Sequence, residues 1–324
     1  MIMGAICGFI TAVGTGSPLL GFLGGAAGGA TLALIFAFLT QTLLANQVAT
    51  GLALTLFGQG LSSLMGQGYN GIKPPLTGDV PFGPLGDIPV LGRILFSHDW
   101  MVYASIAIIA AVWWVLKYAR IGLVLRAVGE NHDAAHALGY KVKRIRLAAI
   151  LFGGAMAGLG GAYISLVRVP QWTDGITAGA GWIALAIVVF ASWKPWRVLI
   201  GAYLFGGISV LQLNLQAAGG LPVGFVVVTA LICFLIAAGY AALRALLGRK
   251  VQFTIIKYSL PAIGILLYLI FSTPQIWMIA VPVEYLSMSP YLITILVLVI
   301  MSSGKGRASL NAPAALGQNF HASR

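Results

Sequence analysis

Charge is what this chain lacks. Aspartate, glutamate, lysine and arginine together make up 8% of its 324 residues, and seven residues in all are acidic. A soluble domain carries roughly a quarter charged residues, so about a third of the charge that coats a water-facing surface is present. That shortage excludes a soluble enzyme and a disordered protein. Cysteine is scarcer still. Cys7 and Cys233 sit far apart in apolar runs, which excludes a secreted disulfide framework and gives a zinc site no support. A nucleotide-binding G-x-x-x-x-G-K-[ST] sequence is also missing. The nearest stretch, Gly304-Lys305-Gly306, has neither the spacing nor the following hydroxyl, so the chain does not hydrolyse ATP through a P-loop.

What the chain has is apolar length: 59% of it is hydrophobic. At roughly 20 residues per membrane span, ten spans use about 200 residues, close to that share. Uncharged apolar runs fall at 1–15, 18–40, 47–66, 100–116, 147–167, 176–193, 198–217, 221–242, 254–272 and 286–302. Lipid offers no partner to a free N–H or C=O, so these runs are expected to be helices. The expected fold is all-α, a polytopic membrane protein of about ten transmembrane helices with both termini cytoplasmic. The run 1–15 has no basic region before it and no small-residue cleavage site, which argues against a signal peptide.

The net charge of +12 has two readings, nucleic acid or membrane topology, and the placement of the charges separates them. With a cytoplasmic N-terminus, the inside segments are 41–46, 117–146, 194–197, 243–253 and 303–324. They hold 15 basic residues, and Lys257 near a cytoplasmic end makes 16 of the 19; Lys73, Arg93 and Arg168 fall outside. Five of the seven acids, Asp79, Asp87, Asp99, Asp174 and Glu284, go to the outside. This is the positive-inside pattern, and it removes nucleic acid as a partner.

No ionisable residue lies in the middle of any run. Proton-coupled carriers place such groups within the membrane, so the driving force is expected to come from another subunit. The runs do contain small residues at four-residue spacing: Gly21, Gly25 and Gly29; Gly24 and Gly28; Gly154, Gly158 and Ala162. These suit close helix packing. Asn46, Gln47, Thr50, Gln59, Gln212, Asn214 and Gln216 are candidates to touch a polar solute, although each alone equally suits an interhelical hydrogen bond. Trp172, Trp182, Trp193 and Trp196 read as interfacial anchors, with stacking on a base or sugar by Trp172 or Trp182 as the alternative. Residues 66–99, with five of the 14 prolines, read as an external loop that either contacts a receptor or merely connects.

The segment 120–146 is the most informative. Asn131 suits a helix N-cap, Asp133 the first turn, and Gly139 the left-handed position after the last turn, framing a short helix over 132–138. Held among basic residues, that helix either docks into a soluble partner or is a solvated loop.

Arg126-Ala-Val-Gly-Glu-Asn131, followed by Ala134-Ala135, Gly139 and Arg146, resembles the coupling-loop signature of bacterial ABC-importer permeases for branched-chain amino acids, simple sugars and nucleosides. The resemblance continues through Ala45-Asn-Gln-Val-Ala-Thr-Gly51, Asp87-Ile-Pro-Val-Leu-Gly92, Ile183-Ala-Leu-Ala186, Gly201-Ala-Tyr-Leu-Phe-Gly206 and Leu310-Asn-Ala-Pro-Ala-Ala-Leu-Gly317. It is most similar to the nucleoside and simple-sugar branch that works with a lipoprotein receptor. One permease domain over 1–324 is implied, family-like in 1–217 and 286–318, with two extra apolar segments in 218–285 and a tail end at 319–324.

The resemblance implies a permease without catalysis, cofactor or metal of its own. Its partners would be an ABC ATP-binding subunit, a second permease subunit, an external substrate-binding lipoprotein and the lipid bilayer, in the bacterial inner membrane. It places Arg126, Gly129, Glu130, Asn131, Ala134, Ala135 and Gly139 at the ATPase contact, and leaves Asn46, Gln47, Thr50, Gln212 and Asn214 as pathway candidates. His132 stands where family members usually have proline, and would titrate near neutral pH. The family's first span and its Asn-Leu-Gly-Val-Glu-Gly-like motif are absent before Met3 to Ala5, so a start upstream of Met1 is expected; an in-frame apolar segment in the upstream DNA would support it. The competing readings are an ion-coupled secondary carrier and a passive pore or structural membrane subunit.

Overall fold

The computed structural model describes residues 1–75, 78, 98–217, 221–222, 278–279, 288, 292, 295, 313–318 and 320. Among them the regular structure is helical, apart from a two-residue antiparallel pairing of β1 (Leu221–Pro222) with β2 (Met278–Ile279) and an isolated parallel bridge between Asn70 and Trp172. Among the described residues five helices are long and apolar enough to cross a membrane, and two shorter apolar helices accompany them. Residues 221–222, expected to open a span, are extended. The rest of the runs 221–242 and 254–272 lies outside the described residues, as does most of 286–302, where Met288, Leu292 and Ile295 are helical.

In order, α1 is Ile2–Thr15, α2 Pro18–Ala37, α3 Gln47–Gly66, α4 Trp100–Tyr118, α5 Arg120–Glu130, α6 His132–Ala137, α7 Val142–Tyr163, α8 Ala180–Phe190 and α9 Pro195–Ala217. Pro18 stands at the first position of α2 behind Ser17, where its missing N–H and fixed φ cost nothing. Wide turns, Phe38–Thr42 and Ile164–Arg168, extend α2 and α7. Two expected boundaries shift. The α7 helix starts five residues before the run at 147, so Lys143, Arg144 and Arg146 ride its first turns instead of a loop. The run at 176 becomes helical only from Ala180, after turns at 174–179.

The packing divides into two compact units, Met1–Ala202 with Leu298–Arg324, and Tyr203–Val297. The heart of the first is the trio α1, α2 and α7, brought together by the small residues noted above on α2 and α7 and by Gly4 and Gly8 on α1. A Cβ on Gly25 would lie 2.6 Å from the Ala162 methyl, and one on Gly28 would lie 2.7 Å from the Cys7 Cβ. Gly4 of α1 and Gly158 of α7 touch backbone to backbone. Without a hydrophobic drive between helices in lipid, this close approach supplies the attraction through dispersion. Ser165 adds a buried hydrogen bond, its hydroxyl donating to the Ala5 carbonyl at 2.9 Å.

Trp172 corrects one expectation. It is 1% exposed and belongs to the core with Ile6, Phe9, Phe22 and Leu166, seated against Gly66, so it is neither an interfacial anchor nor open to a solute. Trp182 is 69% exposed.

Candidate functional site

The chain turns sharply after α4. Ala119 is extended, and Gly122 lets α5 press on the Val115 carbonyl and Leu116. The α5 helix is amphipathic, with Ile121, Val124, Leu125 and Val128 at helical spacing. Asn131 then breaks it, at φ −150° and ψ 108°, and caps the next helix. Its Oδ1 accepts from the Asp133 N–H at 3.0 Å and the Ala134 N–H at 2.9 Å. At the other end Gly139 takes φ +87°, a conformation that favours glycine. The Gly139 N–H donates to the His136 carbonyl at 2.8 Å and the Tyr140 N–H to the Ala135 carbonyl at 3.1 Å. Thus α6, six residues long, is closed at both ends as the positions of Asn131 and Gly139 led one to expect.

The residues near the C-terminus complete this corner. The Ala315 N–H donates to the Gly129 carbonyl at 3.0 Å, with Pro313 packed on Gly129. The Gln318 carbonyl accepts twice, from Arg146 Nη2 at 3.0 Å and from Gln47 Nε2 at 3.3 Å. Phe320 inserts its ring between His132 and His136, at centroid distances of 5.9 and 5.5 Å, and joins Val128, Ala135 and Val142 in a small core of its own.

Of the coupling-loop candidates, Arg126, Glu130, Asn131, Ala134 and Gly139 are exposed around α6, while Gly129 is half-buried. Ala135 is 2% exposed and faces inward onto Phe320, so it supports the helix from beneath. Leu138 and Tyr140 are exposed beside the set. His132 is 8% exposed. Burial holds its imidazole below the usual value, the nearby Arg146 guanidinium pushes it further down, and Asp133 opposes both. The imidazole is therefore held below the value of the free side chain expected from its sequence position.

The pathway candidates separate. Asn46 caps α3, accepting from the Val48 and Ala49 N–H groups at 2.9 and 3.1 Å. With Gln47 and Gly317 it lines a small cavity near the tail. Thr50 is buried one turn along. Gln212 and Asn214 lie on the part of α9 that belongs to the second unit. A larger cavity of about 490 Å³ opens between α2, α3, α7 and the start of α8, and is lined in part by Gly51, Thr55, Gln59, Thr177 and Trp182. Sequence reasoning had named Gln59 and Trp182 separately; that both line one cavity was not legible there. It had also missed α5, although the spacing of Ile121, Val124, Leu125 and Val128 carries the helical period.

Comparison with known proteins gives a consistent answer. Residues 1–237 match the family described as the branched-chain amino acid transport system permease component. The chain is 40% identical over 223 residues to the "Putative glucose ABC transporter permease protein" of Haloferax volcanii, covering 67% of each chain. It is 33% identical to the nucleoside ABC transporter permease protein of Lactococcus lactis subsp. cremoris, over 64% of this chain and 66% of that one. To the guanosine ABC transporter permease protein of Bacillus subtilis it is also 33% identical, over 60% of this chain and 63% of that one. The alignments thus span about two thirds of the relatives' lengths. No solved structure matches the chain. With its apolar helices and its capped helix corner, the chain belongs to the branched-chain amino acid transport system permease family and is a multi-pass ABC transporter permease.

Proposed function

We propose that this permease is the pathway-forming subunit of an importer for nucleosides or simple sugars, driven by ATP that a separate subunit hydrolyses. The observation that carries the reading is α6. It is a short helix, capped at both ends and fixed by the tail, and Ala134 on it faces outward together with Arg126, Glu130, Asn131 and Gly139 around it. A rigid two-turn helix on a basic corner is a suitable knob for the groove of an ATP-binding subunit, with Gly129 and Ala135 shaping it from behind. The names of the relatives, glucose on one side and nucleosides including guanosine on the other, supply the substrate class.

In this scheme a second permease subunit completes the pathway, and an external lipoprotein delivers the solute. Both termini are cytoplasmic and about ten spans cross a bacterial inner membrane. The docking of residues 313–318 and Phe320 on α5 and α6 supports placing the tail and the coupling corner on one side of the bilayer. Closure of the ATP-binding subunits moves α6, and α5, α7 and the tail pass that motion to the spans. Thr50, Gln212 and Asn214 serve the pathway, while Asn46 and Gln47 hold its cytoplasmic end.

The test is uptake into proteoliposomes holding the permease with the ATP-binding subunit, second permease and lipoprotein encoded beside it. Tritiated guanosine and radiolabelled glucose are offered separately, with and without ATP. Accumulation of either one only with hydrolysable ATP supports the reading. Uptake that persists without any ATP-binding subunit overturns it in favour of a secondary carrier or pore.

A further inference from the structure

The middle of α3 poses a problem that lipid does not solve. Gln59 lies within the apolar segment Gln47–Tyr69, is exposed, and its side-chain amide has no hydrogen-bond partner among the described residues. An amide facing hydrocarbon leaves its donors and acceptor unpaired at a cost of several kcal/mol. Gln59 instead faces the 490 Å³ cavity. One turn before it, the Thr55 hydroxyl donates to the Gly51 carbonyl at 2.8 Å, which commits its proton and leaves its oxygen as an acceptor. Trp182 lines the same cavity with its indole largely open. No charged side chain lines it.

We propose that Gln59, Thr55 and Trp182 form a transit site for a neutral, ring-bearing, hydrogen-bonding solute. Gln59 offers both a donor and an acceptor, Thr55 an acceptor, and Trp182 a flat apolar face for a ring to lie on. The volume lies within the range of small-molecule sites. None of the side chains in the lining is charged, so none offers a counter-ion to a phosphorylated or amino-acid solute. The apolar face of a pyranose and the plane of a nucleobase share this chemistry. The site rests on the importer reading above and assigns residues that determine which solutes pass.

The first test needs no knowledge of the solute. Gln59→Cys and, as a control, Leu56→Cys are made in the full assembly and treated with a membrane-impermeant cationic methanethiosulfonate. Leu56 is exposed on the same helix but outside the cavity lining. Cysteine at 59 is expected to label several-fold faster than cysteine at 56; equal rates overturn the site, whatever drives transport. The second test measures ATP-dependent uptake of guanosine and glucose in separate arms. Losing one neutral hydrogen bond lowers transport by about three- to tenfold in Gln59→Leu, for whichever probe the wild type carries, with the ATP-binding subunit still co-purifying. Trp182→Phe is expected to restore most of what Trp182→Ala loses. Unchanged uptake in Gln59→Leu overturns the site alone, whereas a wild type that takes up neither probe overturns the importer reading on which it rests.

Discussion

The Ala315 N–H meets the Gly129 carbonyl across 3.0 Å, joining the tail to the turn of helix that precedes Asn131. Three residues later the Gln318 carbonyl accepts from Arg146 and Gln47. One stretch of tail thereby links α5 to the first turns of α7 and to the start of α3. A displacement of α6 reaches two spanning helices through it, and each of the following expectations depends on this link or on the helix trio behind it.

Phe320 holds the tail in place by sitting between two imidazoles and above Ala135. Replacing a buried ring by alanine costs about 3–5 kcal/mol in a well-packed core, more than a short surface segment retains. Phe320→Ala is expected to release residues 313–318, seen as loss of amide protection there by hydrogen exchange, and to lower ATP-dependent uptake while membrane insertion is unchanged. Full protection in the variant would show that the ring is dispensable.

His132 makes that docking sensitive to acid. Its folded-state pKa is lowered, chiefly by burial, so the stability it contributes is present above the ordinary imidazole value of about 6.5. That contribution is lost as pH falls below 6.5 towards the lowered folded value, because the undocked state takes up the proton first. Protection of residues 313–318 is expected to decline through this window in the wild type and to stay flatter in His132→Gln. The same decline in both proteins would assign the effect to another group.

Asn131 satisfies two N–H groups that nothing else in the corner reaches. Asn131→Ala is expected to cost about 1 kcal/mol of local stability, seen as faster exchange at Asp133 and Ala134, and to weaken binding of the ATP-binding subunit. Asn131→Asp, which keeps the acceptor, should retain most of both. If alanine and aspartate behaved alike, capping would not be what Asn131 provides.

The glycines of the trio separate sharply by position. Gly25→Val places atoms where the Ala162 methyl and the Gly4 and Gly158 carbonyls already are. Overpacking of this kind costs about 1–3 kcal/mol or more, so a fall in Tm in detergent is expected. Gly153 on α7 has nothing within 4 Å of its Cβ position, and Gly153→Ala is expected to hold or slightly raise Tm through helix propensity. Equal effects would mean that α2 and α7 are not in close contact.

Much of this was legible in the residues themselves. The run at 47–66 became α3 with the same limits, because Asn46 supplies a cap and no charge interrupts the run. The glycine spacing anticipated close packing by α2 and α7, since a small residue every fourth position forms a flat stripe on a helix, but not that α1 would be the third member. The ends of α6 were readable because capping is a local property of Asn131 and Gly139. Other features depend on partners distant in sequence. Nothing local to Trp172 tells that Gly66 leaves room for its indole, nor that Gln318 will sit between Gln47 and Arg146, 271 and 172 residues away. The cap that Asn46 provides was not read from the sequence, because an amide at a helix start serves capping and solute contact equally well until its partners are seen.

The central claim is that α6 delivers the work of ATP hydrolysis to the spans, and contact at Ala134 tests it most directly. A photo-crosslinking side chain is placed at Ala134, and another at Gly153 as a control, in the assembled transporter. The expected result is an adduct between position 134 and the ATP-binding subunit whose yield changes on adding ATP, with none from position 153. No adduct from 134 above the control, in an assembly that still imports solute with ATP, would contradict it.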